Sequence, residues 1–224
     1  MLRAGLFDMD GTMYDTEKLS MEGWLYASEK TGIPITKEQI LAFRGGSIAV
    51  NYKRFQSWYG EDAPYFELRK YRTRYQRHYI EEHGLEEKEG LRDILDYLKK
   101  DLGWKLCIAT GTYRSDAEHY WNKNGTLDYF NGTVCGDEVP TCKPQPEIYL
   151  KAAEVIGVPP EECVVFEDAP NGILAAHAAG CRSILITDLD QPDREIRRTA
   201  DFVCASLTEA RQWLQNLLKS KKNS

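Results

Sequence analysis

The sequence predicts an α/β protein with a Rossmann-like, mostly parallel sheet core and one inserted α-helical segment. Three observations carry this. Short apolar runs alternate with helical patterns along most of the 224 residues, as βαβ units do. Several of those runs end on acidic or hydroxyl residues, as strand ends facing a ligand would. Between residues 16 and about 84 the character changes to tryptophan, tyrosine and charge at helical spacing, with no convincing strand.

The strands expected are 4–7, 105–109, 133–135, 163–166 and 183–186. Helical patterns fill the intervals. Leu91, Ile94, Leu95 and Leu98 share one face of 90–100, 146–156 opens on a proline that suits a first helical turn, and 205–218 closes the chain. The final KSKKNS reads as a solvated tail. The expected division is a core of 1–15 and 85–224 with a helical unit, 16–84, inserted after the first strand.

Composition narrows the function. An apolar content of 42% and a charged content of 29% are ordinary for a globular chain long enough to bury a substantial core. The net charge of −6 disfavours nonspecific nucleic-acid binding, whose energy comes from Lys and Arg on phosphates. Six cysteines lie scattered in apolar runs without any CxxC, which suits a reduced, cytoplasmic protein. The first residues lack a signal-peptide apolar region, and no stretch approaches the roughly 20 apolar residues of a membrane span. Neither membrane nor nucleic acid is an expected partner, and a monomer is expected.

In the inserted segment, Leu68, Tyr71, Tyr75 and Tyr79 recur as an apolar stripe in LRKYRTRYQRHY. Arg69, Lys70, Arg72, Arg74 and Arg77 interleave with them. The preferred reading is a packed tyrosine face backed by a solvated basic face; an anion- or RNA-binding face is the alternative.

The chemistry is concentrated at the ends of the predicted strands. In GLFDMDGTMYD, Asp8 follows the first apolar run and Asp10 lies two residues on, with Gly11 permitting a tight turn and Thr12 offering a hydroxyl. Two carboxylates so close and so near a buried strand need a cation or a shared proton to offset their repulsion. Thr110 in CIATGT ends a second strand, and the turn through Gly111 would present backbone N–H groups to an anion. Lys143 in TCKPQPE adds a fixed positive charge, and Glu167 and Asp168 end the strand in VVFEDAPNG. Acid, hydroxyl, ammonium and acid at four strand ends suit phosphoryl transfer. Hard oxygen ligands with neither His nor Cys beside them favour Mg²⁺.

These four stretches, DMDGT, the strand-terminal Thr110, KPQPE and FEDAPNG, resemble the ordered motifs of the haloacid dehalogenase superfamily. The likeness runs from residue 2 to about 190 and is closest to the phosphatases and sugar-phosphate mutases whose helical cap is inserted after the first motif. TCKPQPE departs from the usual pattern, which has glycine before the lysine and Asp where Glu147 stands. The resemblance implies that Asp8 attacks phosphorus and becomes an aspartyl phosphate, while Asp10 acts as acid and base. It implies that Asp8, the Asp10 carbonyl and Asp168 bind Mg²⁺ with Glu167 as a direct or outer partner, and that Thr110, Gly111 and Lys143 hold the phosphoryl group. An acid at position 10 favours phosphate esters over halides and phosphonates.

The loop of Arg44, Gly45, Gly46 and Ser47 matches the cap loop that reads the substrate in such relatives. Arg44 and Gly45 are therefore candidate substrate contacts. His78, His83, His119 and His177 are dispersed and read as structural or surface residues. In β-phosphoglucomutases a cap histidine couples closure to the acid–base carboxylate; an ungapped count from Asp8 places Ser20 there. The expected activity is a Mg²⁺-dependent phosphatase acting on a small phosphorylated metabolite, such as a sugar phosphate. A sugar-phosphate mutase is the alternative, and a catalytically idle binding module the remote one.

Overall fold

The computed structural model describes residues 1–44, 46–187 and 193–222. Six strands form one sheet: β1 (Ala4–Phe7), β2 (Lys105–Ala109), β3 (Gly132–Val134), β4 (Cys163–Glu167), β5 (Arg182–Ile186) and β6 (Phe202–Cys204). Their order is β3-β2-β1-β4-β5-β6 and every pairing is parallel. β1 is central, with Leu6 opposite Cys107 on one side and Val165 on the other. The chain order reverses direction across the sheet at β1 and β4, where open α/β sheets form their ligand crevice.

After β1 come α1 (Thr16–Thr31), α2 (Lys37–Leu41), α3 (Ile48–Tyr59), α4 (Tyr65–His83) and α5 (Leu91–Asp96). They are followed by α6 (Arg114–Asn124), α7 (Glu147–Ile156), α8 (Pro170–Ala178), α9 (Arg194–Thr199) and α10 (Leu207–Lys222). Alternation along each strand supplies both layers. Phe7, Leu106, Ile108 and Phe166 face α5, α6 and α10, whereas Leu6, Cys107, Ala109 and Val165 face α7 and α8. A sheet covered on both faces explains why its strands read as continuous apolar runs.

Helices α1 to α4 have an apolar cluster of their own, built on Trp24, Phe43, Phe55, Tyr65 and Leu68. They are not detached from the sheet, since Leu19 of α1 and Ile80 of α4 join the core beneath. Ser47 caps α3 by accepting from the Val50 N–H at 3.1 Å, which fixes the start of that helix.

Several expectations shift. The third strand begins and ends one residue earlier than 133–135, because the Cys135 N–H leaves the ladder for the Glu138 carboxylate at 2.8 Å. β4 runs on through Glu167 and β5 starts at Arg182. β6 was not expected; it is a three-residue edge strand paired only with β5, too short to carry a pattern. The apolar stripe of 90–100 is buried as expected, but the helix passes into a π-type turn over Tyr97–Asp101. The KSKK part of the tail is the end of α10, and Asn223 and Ser224 lie outside the described residues.

The α4 stripe is also corrected. The buried residues are Tyr65, Leu68, Gln76 and Ile80, and Tyr79 is 39% exposed. A spacing of four residues turns about 400°, so Tyr71, Tyr75 and Tyr79 drift off any one face by about 40° per step. The basic residues do not share a solvated face either. Lys70, Arg74 and Arg77 are exposed, but Arg69 and Arg72 are part-buried on the wall of a pocket above the sheet.

Candidate active site

The pocket lies between the carboxyl ends of β1, β2 and β4 and the helices α1 to α4, and Asp8, Asp10, Thr110, Lys143 and Asp168 all line it. Asp8 is the first residue past β1, held beside β4 by its N–H donating to the Phe166 carbonyl at 3.0 Å. The chain then turns sharply at Gly11, whose φ is +77°. A Cβ there would lie 2.3 Å from Asp168 Oδ2, so both conformation and contact require glycine. Thr12 completes the turn by donating to Asp168 Oδ1 at 3.2 Å.

Asp10 is held by two hydroxyls: Thr16 donates to Oδ1 at 2.6 Å and Thr112 to Oδ2 at 2.6 Å. One donor comes from α1 and the other from the loop after β2, so this carboxyl is fixed between the sheet and the inserted helices. Thr110 follows β2 directly; its N–H donates to the Val134 carbonyl at 3.0 Å and its hydroxyl accepts from the Thr112 N–H at 3.1 Å. Gly111 comes next on the pocket wall.

Lys143 is buried and donates to Asp8 Oδ1 and, at 2.6 Å, to Glu167 Oε1. Glu167 ends β4 with no exposed surface and also accepts from the Tyr149 hydroxyl at 2.9 Å and the Ala169 N–H at 2.8 Å. The glycine of the PNG turn is required by this carboxylate, because a Cβ at Gly172 would lie 1.7 Å from Glu167 Oε1.

The charges here are strongly coupled. Burial pushes the Asp8 carboxyl well above its ordinary range; Lys143 opposes that, while Glu167 and Asp10 add to it. Burial also raises Asp168, reinforced by Glu167, Glu17 and Asp8 and opposed by Arg44. For Lys143, burial disfavours the charge, but the Asp8 and Glu167 carboxylates outweigh it and raise the ammonium pKa. Buried carboxylates under such strain are suited to a cation. Asp8, Glu167 and Asp168 offer three carboxylate oxygens within 4.8 Å of one another, an all-oxygen donor set. The Asp10 side chain lies outside this set, its two oxygens accepting from Thr16 and Thr112 instead.

Arg44 reaches the same place from the loop before α3. It donates to Asp168 Oδ2 at 2.7 Å, and its Nε lies 3.4 Å from Glu17 Oε2. Gly46 and Ser47 also line the pocket, and Gly45 lies outside the described residues. Ser20 is on the wall as well, accepting from Arg72. None of the four histidines lines the pocket. Sequence reasoning missed Thr16, Thr112 and Tyr149. Thr112 had a signal in its place two residues beyond a strand-terminal threonine; a lone Thr or Tyr on a helix has none.

Comparison with known proteins agrees with this arrangement. The family model for haloacid dehalogenase-like hydrolases matches residues 6–186. The phosphorylated carbohydrates phosphatase of Thermotoga maritima is 33% identical over 183 residues, covering 82% of this chain and 84% of that protein. The fructose-1-phosphate phosphatase YqaB of Escherichia coli is 32% identical, covering 81% and 95%. Among solved structures, a CbbY variant from Rhodobacter sphaeroides in complex with xylulose 1,5-bisphosphate superposes with a TM-score of 0.78 at 27% identity, over 92% of this chain and 95% of that one. With the family model spanning the sheet from within β1 to the end of β5, with its strand ends delivering these acids to one pocket, and with Lys143 reaching it from the turn before α7 rather than from the expected strand end, the chain belongs to the haloacid dehalogenase-like hydrolases.

Proposed function

We propose that this chain is a Mg²⁺-dependent phosphatase that hydrolyses a small phosphorylated metabolite, of the phosphorylated-carbohydrate class, through an aspartyl phosphate on Asp8. The observation that carries the reading is the convergence of Asp8, Asp10, Thr110, Lys143 and the Glu167–Asp168 pair in one pocket. The named relatives that act on phosphorylated carbohydrates and on fructose 1-phosphate support the substrate class. On this reading, 1–15 and 85–224 form the catalytic core and 16–84 the cap.

An Asp8 carboxylate oxygen forms a bond to phosphorus as the ester P–O bond breaks, and Asp10 gives its proton to the leaving oxygen. Water then loses a proton to Asp10 and attacks phosphorus, breaking the bond to Asp8 and releasing phosphate. Thr16 and Thr112 keep Asp10 aimed across the gap between cap and core in both steps. The Lys143 ammonium and the Thr110 hydroxyl hold the phosphoryl oxygens, and Tyr149 keeps Glu167 oriented toward Lys143. Asp8, Asp168 and Glu167, with the Asp10 carbonyl, would hold Mg²⁺. The ion supplies positive charge that neutralises the phosphoryl oxygens and lets the clustered acids stay ionised.

Ser20 favours hydrolysis over mutase action. It stands on the pocket wall as an acceptor to Arg72, and a serine hydroxyl is a poor proton relay at neutral pH. Phosphate release from p-nitrophenyl phosphate and from fructose 1-phosphate, with Mg²⁺ and with chelator, tests the reading. Turnover that chelation stops is expected. Folded protein that releases no phosphate from either ester overturns it, and isomerisation of β-glucose 1-phosphate that outruns phosphate release replaces it with the mutase.

A further inference from the structure

Four cationic side chains line the pocket, and their partners differ. Lys143 is committed to Asp8 and Glu167, and Arg44 lies against Asp168 and Glu17. Arg69 shares Asp116 with Arg77, at 3.8 Å against 2.6 Å for the latter, so Arg77 satisfies that carboxylate more directly. Arg72 has no carboxylate among the described residues; its Nε and Nη2 both donate to the neutral Ser20 hydroxyl, at 3.2 and 2.9 Å. A part-buried guanidinium with a hydroxyl as its partner retains donors and an unneutralised charge.

Its position gives that charge a use. Ser20 and Arg72 sit on α1 and α4, on the inserted helices rather than the sheet, and both line the pocket with Arg69. Thr16, which donates to Asp10 Oδ1, stands one turn before Ser20 on the same face of α1, and both line the pocket, which places the Arg72 that donates to Ser20 on the Asp10 side of the site. Asp10 is the group assigned to protonate the leaving oxygen. The part of the substrate bonded to that oxygen therefore lies toward Arg72, while the phosphoryl group lies toward Lys143.

We infer that Arg72, assisted by Arg69, binds a second anionic group on the leaving-group side of the substrate, so that the preferred phosphomonoester carries a further phosphate or carboxylate. This rests on the phosphatase reading, because Asp10 defines the leaving-group side. A charge-assisted, two-donor contact of this kind is worth about 10- to 100-fold in affinity.

Binding measured without turnover separates the two readings. Calorimetry on the Asp8→Asn protein with Mg²⁺ would compare fructose 1,6-bisphosphate with fructose 1-phosphate, and 3-phosphoglycerate with glycerol 3-phosphate. The first pair reports a second phosphate and the second pair a carboxylate. At least one doubly anionic ligand is expected to bind about tenfold tighter or better than its partner. The gain should vanish when Arg72→Gln is added and return in part with Arg72→Lys. Equal affinities in both pairs, or a preference that survives Arg72→Gln, overturn the inference and leave the phosphatase reading intact. Wild-type protein that shows the Arg72-dependent preference yet releases no phosphate from any of the four overturns the phosphatase reading and leaves the anion site standing.

Discussion

The sheet and the inserted helices meet at one pocket but place their functional groups by different physics. In the sheet domain the acids and the threonine sit at or directly after a strand end, Asp8 after β1, Thr110 after β2 and Glu167 at the end of β4, whereas Lys143 comes from the turn before α7. Parallel pairing fixes those ends side by side, so the chemistry follows from strand order. In the helices, Ser20, Arg44, Arg69 and Arg72 reach the pocket only because α1 packs along α4 and the loop before α3 folds inward. On the proposed function this becomes a division of labour, in which strand ends would carry the reaction and packed helices would present the groups that choose what reacts.

The largest test of that division is Asp8→Asn. The amide cannot attack phosphorus, and turnover should fall on the order of 10⁵- to 10⁶-fold with the melting temperature held or raised, since removing a buried strained charge does not harm the fold. Initial rates with p-nitrophenyl phosphate and a thermal melt check both halves. Residual turnover near wild type in a folded preparation removes Asp8 from its role.

Asp10→Asn comes next, with an expected loss of about 10²- to 10⁴-fold on alkyl phosphates. The loss should be smaller on p-nitrophenyl phosphate, whose leaving group needs little protonation. Equal losses on both esters would contradict an acid at this position.

Metal binding should depend on pH in a definite direction. Burial and neighbouring carboxylates raise Asp8 and Asp168, so without a cation each holds its proton to higher pH than an ordinary carboxyl. Mg²⁺ needs them ionised, and binding must release protons and tighten as pH rises, by about tenfold per unit for each proton displaced. Titration calorimetry in buffers of different ionisation enthalpy measures this; proton uptake, or none, would contradict the charge assignment.

The helical side should give smaller and substrate-dependent effects. Arg44→Ala is expected to lower kcat/KM for a sugar phosphate by about tenfold, and for p-nitrophenyl phosphate by less, because only the larger substrate extends to the loop. Equal losses would make Arg44 a folding or closure residue. The smallest effect belongs to Asp116→Asn, which breaks the ion pairs to Arg69 and Arg77 between α6 and α4. Pairs near the surface contribute roughly 0.2 to 1 kcal/mol, and the shift in melting temperature should fade in high salt.

The same contrast governs what could be read in the sequence. Strand ends followed by acids are local patterns, so the core's order and its Asp, Thr, Lys and Glu–Asp groups were legible, and the resemblance to a family gave them roles. β6 was not, because three residues at an edge, two half-buried and one buried, carry no period. Tyr149 escaped for another reason: on a helix with Ile148, Ala152 and Ala153 it looks like packing, and only the fold brings its hydroxyl to Glu167. In α4 the regular tyrosine spacing suggested a face that a 3.6-residue period does not keep, and the arginines between were assigned to solvent as a group. Arg69 and Arg72 turn inward because they share the helical face of Tyr65, Leu68, Gln76 and Ile80, and the Ser20 hydroxyl of α1 then holds Arg72 there.

The central claim, that Asp8 is phosphorylated during turnover, has a direct measurement. Wild-type protein turning over excess p-nitrophenyl phosphate with Mg²⁺ is quenched rapidly in acid, reduced with borohydride, which converts an acyl phosphate to an alcohol, and digested for mass spectrometry. The account predicts that the reduced side chain lies at Asp8 and that chelator abolishes it. A reduced carboxyl at any other residue, or p-nitrophenolate release in steady state with Asp8 unmodified, would contradict it.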